Sequence, residues 1–177
     1  MFLLIMLCNF TAKDTIMRII EYKFDIRELL DDVTGRTSVI AAHSATPEQP
    51  DRLDELTLTA GEWLTFKGLL DKACADMYSF MAPFSRNLRK GYEVGQSIFD
   101  SVAFYHEEKE WFNTNKIPEI RTNIKEALVN HIIARWYVSV LPDLAPQYWT
   151  NYEEAAELVK SGLNSERRIQ QLGYNWF

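Results

Sequence analysis

Histidine, cysteine and glycine are scarce in this 177-residue chain, which contains three, two and seven of them. Two isolated cysteines form no disulfide framework and indicate a reducing compartment. No histidine has a glutamate three residues before it, which excludes the Glu-x-x-His pairs of di-iron helical bundles. His106 and Glu107 begin a His-Glu-x-x-His zinc motif, but Glu110 stands where the second histidine must be, so the segment is predicted to be exposed and charged. We therefore predict no catalytic residues, no metal site and no cofactor.

Positive charge is in the minority, because 19 lysines and arginines stand against 25 aspartates and glutamates, for a net charge of −6. A chain of this charge should not adhere as a whole to nucleic acid or to anionic lipid. Any contact with a phosphate backbone would be local, and the cluster Arg86, Arg89 and Lys90 is the place for it. The alternative is that these cations offset the carbonyl end of the preceding helix.

Long apolar runs are also absent. Residues 1–8 are apolar, but they lack the positive start of a signal peptide and fall far short of the ~20 residues of a membrane span. We predict an apolar leader over residues 1–16, with Met17 as an alternative start, and no membrane partner. The rest of the composition, 47% hydrophobic and 25% charged, is typical of a folded protein, and the length favours a single helical domain over residues 17–172.

Before residue 60 the patterns predict one short helix and one long loop. Asp25 can cap a helix over residues 26–33, and Gly35 ends it. Residues 38–54 contain two prolines and no sustained periodicity, which predicts a long surface loop.

A longer helix and a β-hairpin arm are predicted next. Thr59, with Glu62 three residues later, forms a capping box that begins a helix over residues 60–81. Pro83 ends this helix. Residues 91–115 alternate loosely between apolar and polar side chains and are interrupted by glycines, which predicts a β-hairpin arm.

The strongest pattern is an antiparallel helical hairpin formed by residues 118–141 and 144–160, which Gly162 closes. Asn130 lies off the apolar face of the first helix, which is formed by Ile120, Ile124, Leu128, Ile132 and Trp136. The predicted fold class is therefore mainly α, a helical bundle with this C-terminal hairpin and a small β-hairpin arm.

His131 and Arg135 interrupt the apolar surface of this first hairpin helix. One interpretation is that they are bonded to acids or carbonyls of neighbouring helices, because buried charge must be paired. The other is a ligand-binding or pH-sensing role, which would make the chain an enzyme or enzyme subunit with a site near these two residues.

Aromatic residues make up 13% of the chain and concentrate in the hairpin and at residues 173–177. Core packing is the favoured interpretation of the hairpin set, and contact with a partner is the alternative. We expect the aromatic tail 173–177 to dock on its own domain or on a partner, because an apolar segment in water would aggregate. The predicted interface residues are Trp136, Tyr137, Trp149, Tyr174, Trp176 and Phe177.

The order of elements from residue 17 to 172 resembles the head-tail connector (adaptor) or neck-type structural proteins of tailed bacteriophages and prophages. The resemblance covers most of the chain and is carried by Thr59-Ala60, Ala134-Arg135-Trp136-Tyr137, Leu141-Pro142-Asp143 and the segment from Tyr148 to Tyr152-Glu153.

The resemblance implies a virion subunit, made in the bacterial host cytoplasm, that joins a homo-oligomeric ring and contacts portal or tail components. It implies no catalytic residues. The loop 38–54, the arm 91–115 and the tail 173–177 would be its contact elements. The alternatives are a non-viral helical protein-protein interaction module and the enzyme subunit described above.

Replacing Tyr174, Trp176 and Phe177 by serine should abolish assembly or partner binding, because the contact would lose its apolar anchors. Co-purification of the partner with the tagged variant and with the tagged wild-type chain measures this. Assembly that survives the triple substitution would contradict the role of the tail.

Overall fold

The computed structural model describes residues 18–44, 52–91, 97–108 and 112–165. The chain is mainly helical with a small antiparallel sheet, which confirms the predicted fold class. None of the helices in the described ranges is long and apolar enough to cross a bilayer. The elements are β1 (Ile19–Asp25), α1 (Ile26–Ser44), α2 (Arg52–Leu56), α3 (Trp63–Met81), β2 (Arg86–Lys90), β3 (Ser101–Glu107), α4 (Ile117–Val140) and α5 (Ala145–Leu163), with single 3₁₀ turns at Ala60–Glu62, Ala82–Phe84 and Thr114–Lys116.

The C-terminal hairpin of α4 and α5 forms as predicted. The rings of Tyr137 and Tyr148 meet near the connecting turn, with centroids 5.5 Å apart. At the other end, a Cβ on Gly162 would lie 2.4 Å from Cγ1 of Ile120. The prediction that Gly162 ends the second helix is wrong, because α5 continues to Leu163. The glycine instead lets α4 and α5 approach each other closely.

Helix α1 is longer than the sequence predicts. It continues through Gly35 to Ser44, so the predicted end at Gly35 is wrong. The predicted loop over residues 38–54 is wrong for 38–44, which belong to α1, and for 52–54, which belong to α2. Residues 45–51 lie outside the described ranges. The tertiary contacts outweigh the cost of about 1 kcal/mol of a glycine inside a helix. The Thr37 hydroxyl accepts the backbone N–H of Leu58 at 3.2 Å, which ties the second half of α1 to the chain before α3.

The second predicted helix and its capping box are confirmed. Glu62 Oε2 accepts the backbone N–H of Thr59 at 3.1 Å, and the Thr59 hydroxyl accepts that of Gly61 at 3.2 Å. The 3₁₀ turn and α3 together span the predicted residues 60–81.

The sheet has the strand order β1-β3-β2 and is antiparallel throughout. Its buried face is formed by alternate residues, and Tyr22 lies opposite Phe104. The predicted arm over 91–115 is partly wrong. The hairpin of β2 and β3 begins earlier, at Arg86. It is not a separate arm, because β1 pairs with β3 and makes the hairpin part of the core sheet. Residues 114–116 form a 3₁₀ turn.

Both edges of the sheet are covered by side chains from the helices. Tyr78 on α3 donates its hydroxyl to the Leu88 carbonyl of β2 at 3.1 Å. Arg121 on α4 donates to the Lys23 carbonyl of β1 at 3.1 Å. The register between β2 and β3 is also irregular around Asn87, whose φ is 48°. These features protect a sheet from pairing with a further strand.

Gly162→Ala should lower the free energy of unfolding by about 1–2 kcal/mol, because the overpacking against Ile120 outweighs the better helix propensity of alanine. Gly68→Ala on α3 is the matched control. A Cβ there meets nothing within 4 Å, so this change should stabilise the protein by about 0.5–1 kcal/mol. Urea denaturation of the two variants measures the difference. Equal stabilisation by both would contradict the close approach at Gly162.

Candidate functional site

A polar cluster lies where α3, α4 and α5 meet. His131 on α4 is 0% exposed, and its Nε2 lies 2.8 Å from Oδ2 of Asp76 on α3. Arg135 Nη2 reaches the same oxygen at 3.3 Å. A carboxylate only accepts hydrogen bonds, so the imidazole carries its proton on Nε2 and donates it to Asp76. Nε2 then cannot accept from Arg135 Nε, although that atom is 3.4 Å away.

The surroundings of this cluster fix its charges. Burial lowers the pKa of His131, and its hydrogen bond to Asp76 only partly opposes this effect. Partial burial opposes ionisation of Asp76, but the hydrogen bonds from His131 and Arg135 outweigh it, so the pKa of this carboxyl is lowered. The cluster is therefore a neutral histidine beside an Asp76–Arg135 ion pair. This confirms the interpretation that His131 and Arg135 are bonded to an acid on a neighbouring helix.

This arrangement is suited to structure and not to proton transfer. The rings of Trp149 and Tyr152 make edge-to-face contacts with the imidazole, and their centroids lie 5.0 and 5.1 Å from its centroid. The remaining nitrogen, Nδ1 of His131, is buried without a hydrogen-bond partner in the described part of the chain. A general base must reach the proton that it abstracts, and this nitrogen is closed off from solvent. Among the described residues, no group of three or more histidine, cysteine, aspartate or glutamate side chains could hold a metal ion.

The predicted interface residues of the hairpin make internal contacts. Tyr137 is 0% exposed, because its side chain lies on the face of α4 that packs against Tyr148 of α5. It therefore has no surface to offer a partner in this fold, and burial raises the pKa of the phenol. Trp136 is half-buried and donates its indole N–H to the Leu56 carbonyl at 3.1 Å. Trp149 is also half-buried, with the Arg135 guanidinium 5.4 Å from its ring centroid. Three further predicted interface residues lie outside the described ranges: Tyr174, Trp176 and Phe177.

A cavity of about 320 Å³ opens on the sheet beside β2, and we call it the basic cavity. The Tyr105 ring lies directly over Gly91, where a Cβ would come within 1.8 Å of Cε2 of the ring, so any other residue would displace the ring. Tyr105 also donates its hydroxyl to Glu21 at 3.1 Å, which holds the ring across the sheet. The cavity is lined by Ile19, Asn87, Arg89, Lys90, Gly91, Tyr105, His106 and Glu107.

The cations predicted to make a local nucleic-acid contact all lie on β2. Arg86 is engaged, because its Nε lies 3.5 Å from the Glu107 carboxylate. Lys90 Nζ lies 4.6 Å from the centroid of the Tyr78 ring. Arg89 makes no ion pair with a described residue. The alternative interpretation places these cations at the carbonyl end of the preceding helix, whereas they lie on the edge strand β2. Contact with nucleic acid stays a prediction.

His106 is a buried polar residue, so the prediction that it lies in an exposed, charged segment is wrong. It is 3% exposed, because β3 turns this side chain to the core face together with Val102 and Phe104. Its Nδ1 donates to the Glu107 carbonyl at 3.1 Å, so Nε2 accepts the Tyr22 hydroxyl at 3.2 Å. The alternation of Val102, Phe104 and His106 at a period of two is the signal that could have found it.

The described chain thus presents a polar cluster whose histidine is buried, and a basic cavity that is open to solvent. No protein-family model, curated protein or solved structure matches this chain. Its function is therefore inferred from its own residues, and the open cavity is the better candidate for contact with another molecule.

The free energy of unfolding should fall as pH is lowered from about 6.5, because the unfolded chain takes up a proton at His131 more readily than the folded chain does. The expected loss reaches at most about 1.4 kcal/mol per pH unit. His131→Gln should reduce this slope in urea titrations between about pH 7 and 5. His43→Gln, at the exposed end of α1, is the control and should keep the wild-type slope. Identical slopes in all three proteins would contradict this role of His131.

Proposed function

We propose that this chain is a structural subunit of a tailed-bacteriophage virion, a head-tail connector, neck or tail adaptor protein. It is made in the bacterial host cytoplasm, associates with copies of itself in a ring and contacts neighbouring virion proteins such as portal or tail components. The succession of helix, hairpin and helical hairpin supports the proposal, because it follows the element order on which the resemblance is based.

The observation that carries the proposal is the position of the two large apolar side chains that are most exposed among the described residues. Leu64 is 83% exposed at the start of α3, and Phe99 is 79% exposed in the turn between β2 and β3. Fourteen residues of α3, about 21 Å of helix, separate Leu64 from Tyr78, which is bonded to β2. A ring subunit needs apolar contacts on two different sides, since each copy touches two neighbours through unlike surfaces.

The alternatives receive less support from the geometry. The imidazole of His131 is buried beneath the rings of Trp149 and Tyr152, so no observation favours an enzyme that uses it. A non-viral interaction module would use the same exposed surfaces, and only its occurrence outside particles would distinguish it.

Purified particles from an induced culture of the source should contain this chain at a copy number close to that of the portal protein. Quantitative mass spectrometry, with the portal and major capsid proteins as internal standards, measures this ratio. A soluble host protein quantified in the same particles is the control for contamination. Absence of the chain from otherwise complete particles would overturn the proposal and favour the interaction module.

A further inference from the structure

The end of the helical layer at which α3 begins combines an exposed leucine with carboxylates, and we call it the acidic end. Leu64 is preceded by Glu62 and followed one turn later by Lys67, and two further carboxylates lie on α2. The indole of Trp136 binds the Leu56 carbonyl, so the last turns of α4, which lead to Asp143, lie beside α2. The carboxylates of the acidic end are Asp54, Glu55, Glu62 and Asp143, and none of them forms an ion pair with a described residue.

The basic cavity has the complementary character. Ile19 is 60% exposed and, with the Tyr105 ring, supplies apolar surface, while Arg89, which lies opposite Tyr105 in the sheet, supplies positive charge. Lys90 also lines the cavity, but its Nζ lies 4.6 Å from the centroid of the Tyr78 ring on α3. The carboxylate at the cavity, Glu107, is already engaged, because Asn87 donates to its Oε2 at 2.8 Å and Arg86 lies 3.5 Å from the same oxygen. An apolar side chain flanked by carboxylates therefore suits this surface.

The two surfaces cannot meet within one copy. The hydroxyl of Tyr78 ties the last turns of α3 to Leu88 on β2, at 3.1 Å from the carbonyl. Leu64 lies fourteen residues earlier on the same helix, about 21 Å away along its axis. The fitting occupant of the basic cavity is therefore the acidic end of a second copy.

We infer that copies of this chain associate head to tail, with Leu64 of one copy seated in the basic cavity of the next and the carboxylates of its acidic end facing Arg89. Because the two surfaces differ, every added copy leaves one acidic end and one basic cavity free. The assembly either closes as a ring or continues as a filament. The inference rests on the proposed function only for the closure into a ring, since the contact itself needs nothing but a second copy.

The test uses one variant for each surface. Leu64→Asp removes the apolar side chain at an exposed helix start, where an acidic residue is compatible with the helix. Arg89→Glu reverses a charge that has no ion pair to lose within the described residues. In sedimentation velocity over a concentration series of the full chain, each variant alone should self-associate at least about tenfold more weakly than the wild-type chain.

Mixing the two variants distinguishes a head-to-tail contact from a symmetric one. The Leu64→Asp chain keeps its basic cavity, and the Arg89→Glu chain keeps its acidic end, so one intact contact remains between them. An equimolar mixture, with one variant fluorescently labelled, should form a dimer of close to wild-type affinity and nothing larger. Added salt should weaken this dimer, because opposite charges meet across it.

Two matched controls separate this contact from general surface effects. Leu158→Asp introduces the same change at a residue of α5 that is 51% exposed, and Lys72→Glu reverses an exposed charge in the middle of α3. Both should associate like the wild-type chain. Far-UV circular dichroism and thermal unfolding check that all four variants fold, and Arg89→Gln replaces Arg89→Glu if the latter does not.

A wild-type chain that stays monomeric up to about 1 mM would overturn the inference. It would leave the proposed virion function standing, since the presence of the chain in particles is measured independently. Self-association that neither variant weakens, or a mixture in which no dimer forms, would also overturn the head-to-tail contact.

Discussion

The structure depends on the complete burial of the middle of α4. All eight residues from 127 to 134 are buried, so other elements must surround this helix on every side. The polar side chains within the run then need partners, because an unpaired buried group costs about 1–3 kcal/mol. Each of the two finds a partner for one of its atoms, while Asn130 Oδ1 and His131 Nδ1 have none among the described residues. Asn130 donates to the Glu126 carbonyl at 2.9 Å, and His131 reaches across to Asp76. At the start of the run, Nη2 of Arg36 donates to both carboxylate oxygens of Glu126, at 2.7 and 2.8 Å. This ion pair joins α1 to the same helix.

Features that depend on neighbours in sequence could be predicted. The capping box of Thr59 and Glu62 and the hairpin of α4 and α5 are local, and the structure contains both. Features that depend on distant residues could not. The pairing of β1 with β3 joins Tyr22 to Phe104, and no local pattern encodes it. The prediction that Gly35 ends α1 was wrong because the helix is extended by contacts with distant residues. Thr34 and Thr37 on either side of this glycine are hydrogen-bonded to Leu58.

The candidate sites show the same division. His131 stood out in the sequence as a polar interruption, but its partner Asp76 lies 55 residues earlier on another helix. Asn130 was expected off the apolar face and is 5% exposed, because a helix that is enclosed on all sides has no outer face. Two cations of the basic cavity, Arg89 and Lys90, stand out in the sequence, but the cavity itself could not be predicted. It needs the edge strand β2, the ring of Tyr105 and the gap left by Gly91, which only the folded sheet brings together.

Enclosing α4 also determines where contact with other molecules can occur. The aromatic residues of the hairpin that looked suited to a partner contact the core or the polar cluster instead, and Tyr137 is the clearest example. The sheet offers little backbone for strand pairing, because Tyr78 and Arg121 bind carbonyls at its two edges. What remains on the described surface are side chains that the core does not use. These separate into an apolar and acidic group where α3 begins and an apolar and basic group beyond its other end. A domain that buries its apolar residues within its own core and whose two ends differ in charge is suited to repeating contacts with further copies of itself. Each end of one copy attracts the opposite end of a neighbouring copy.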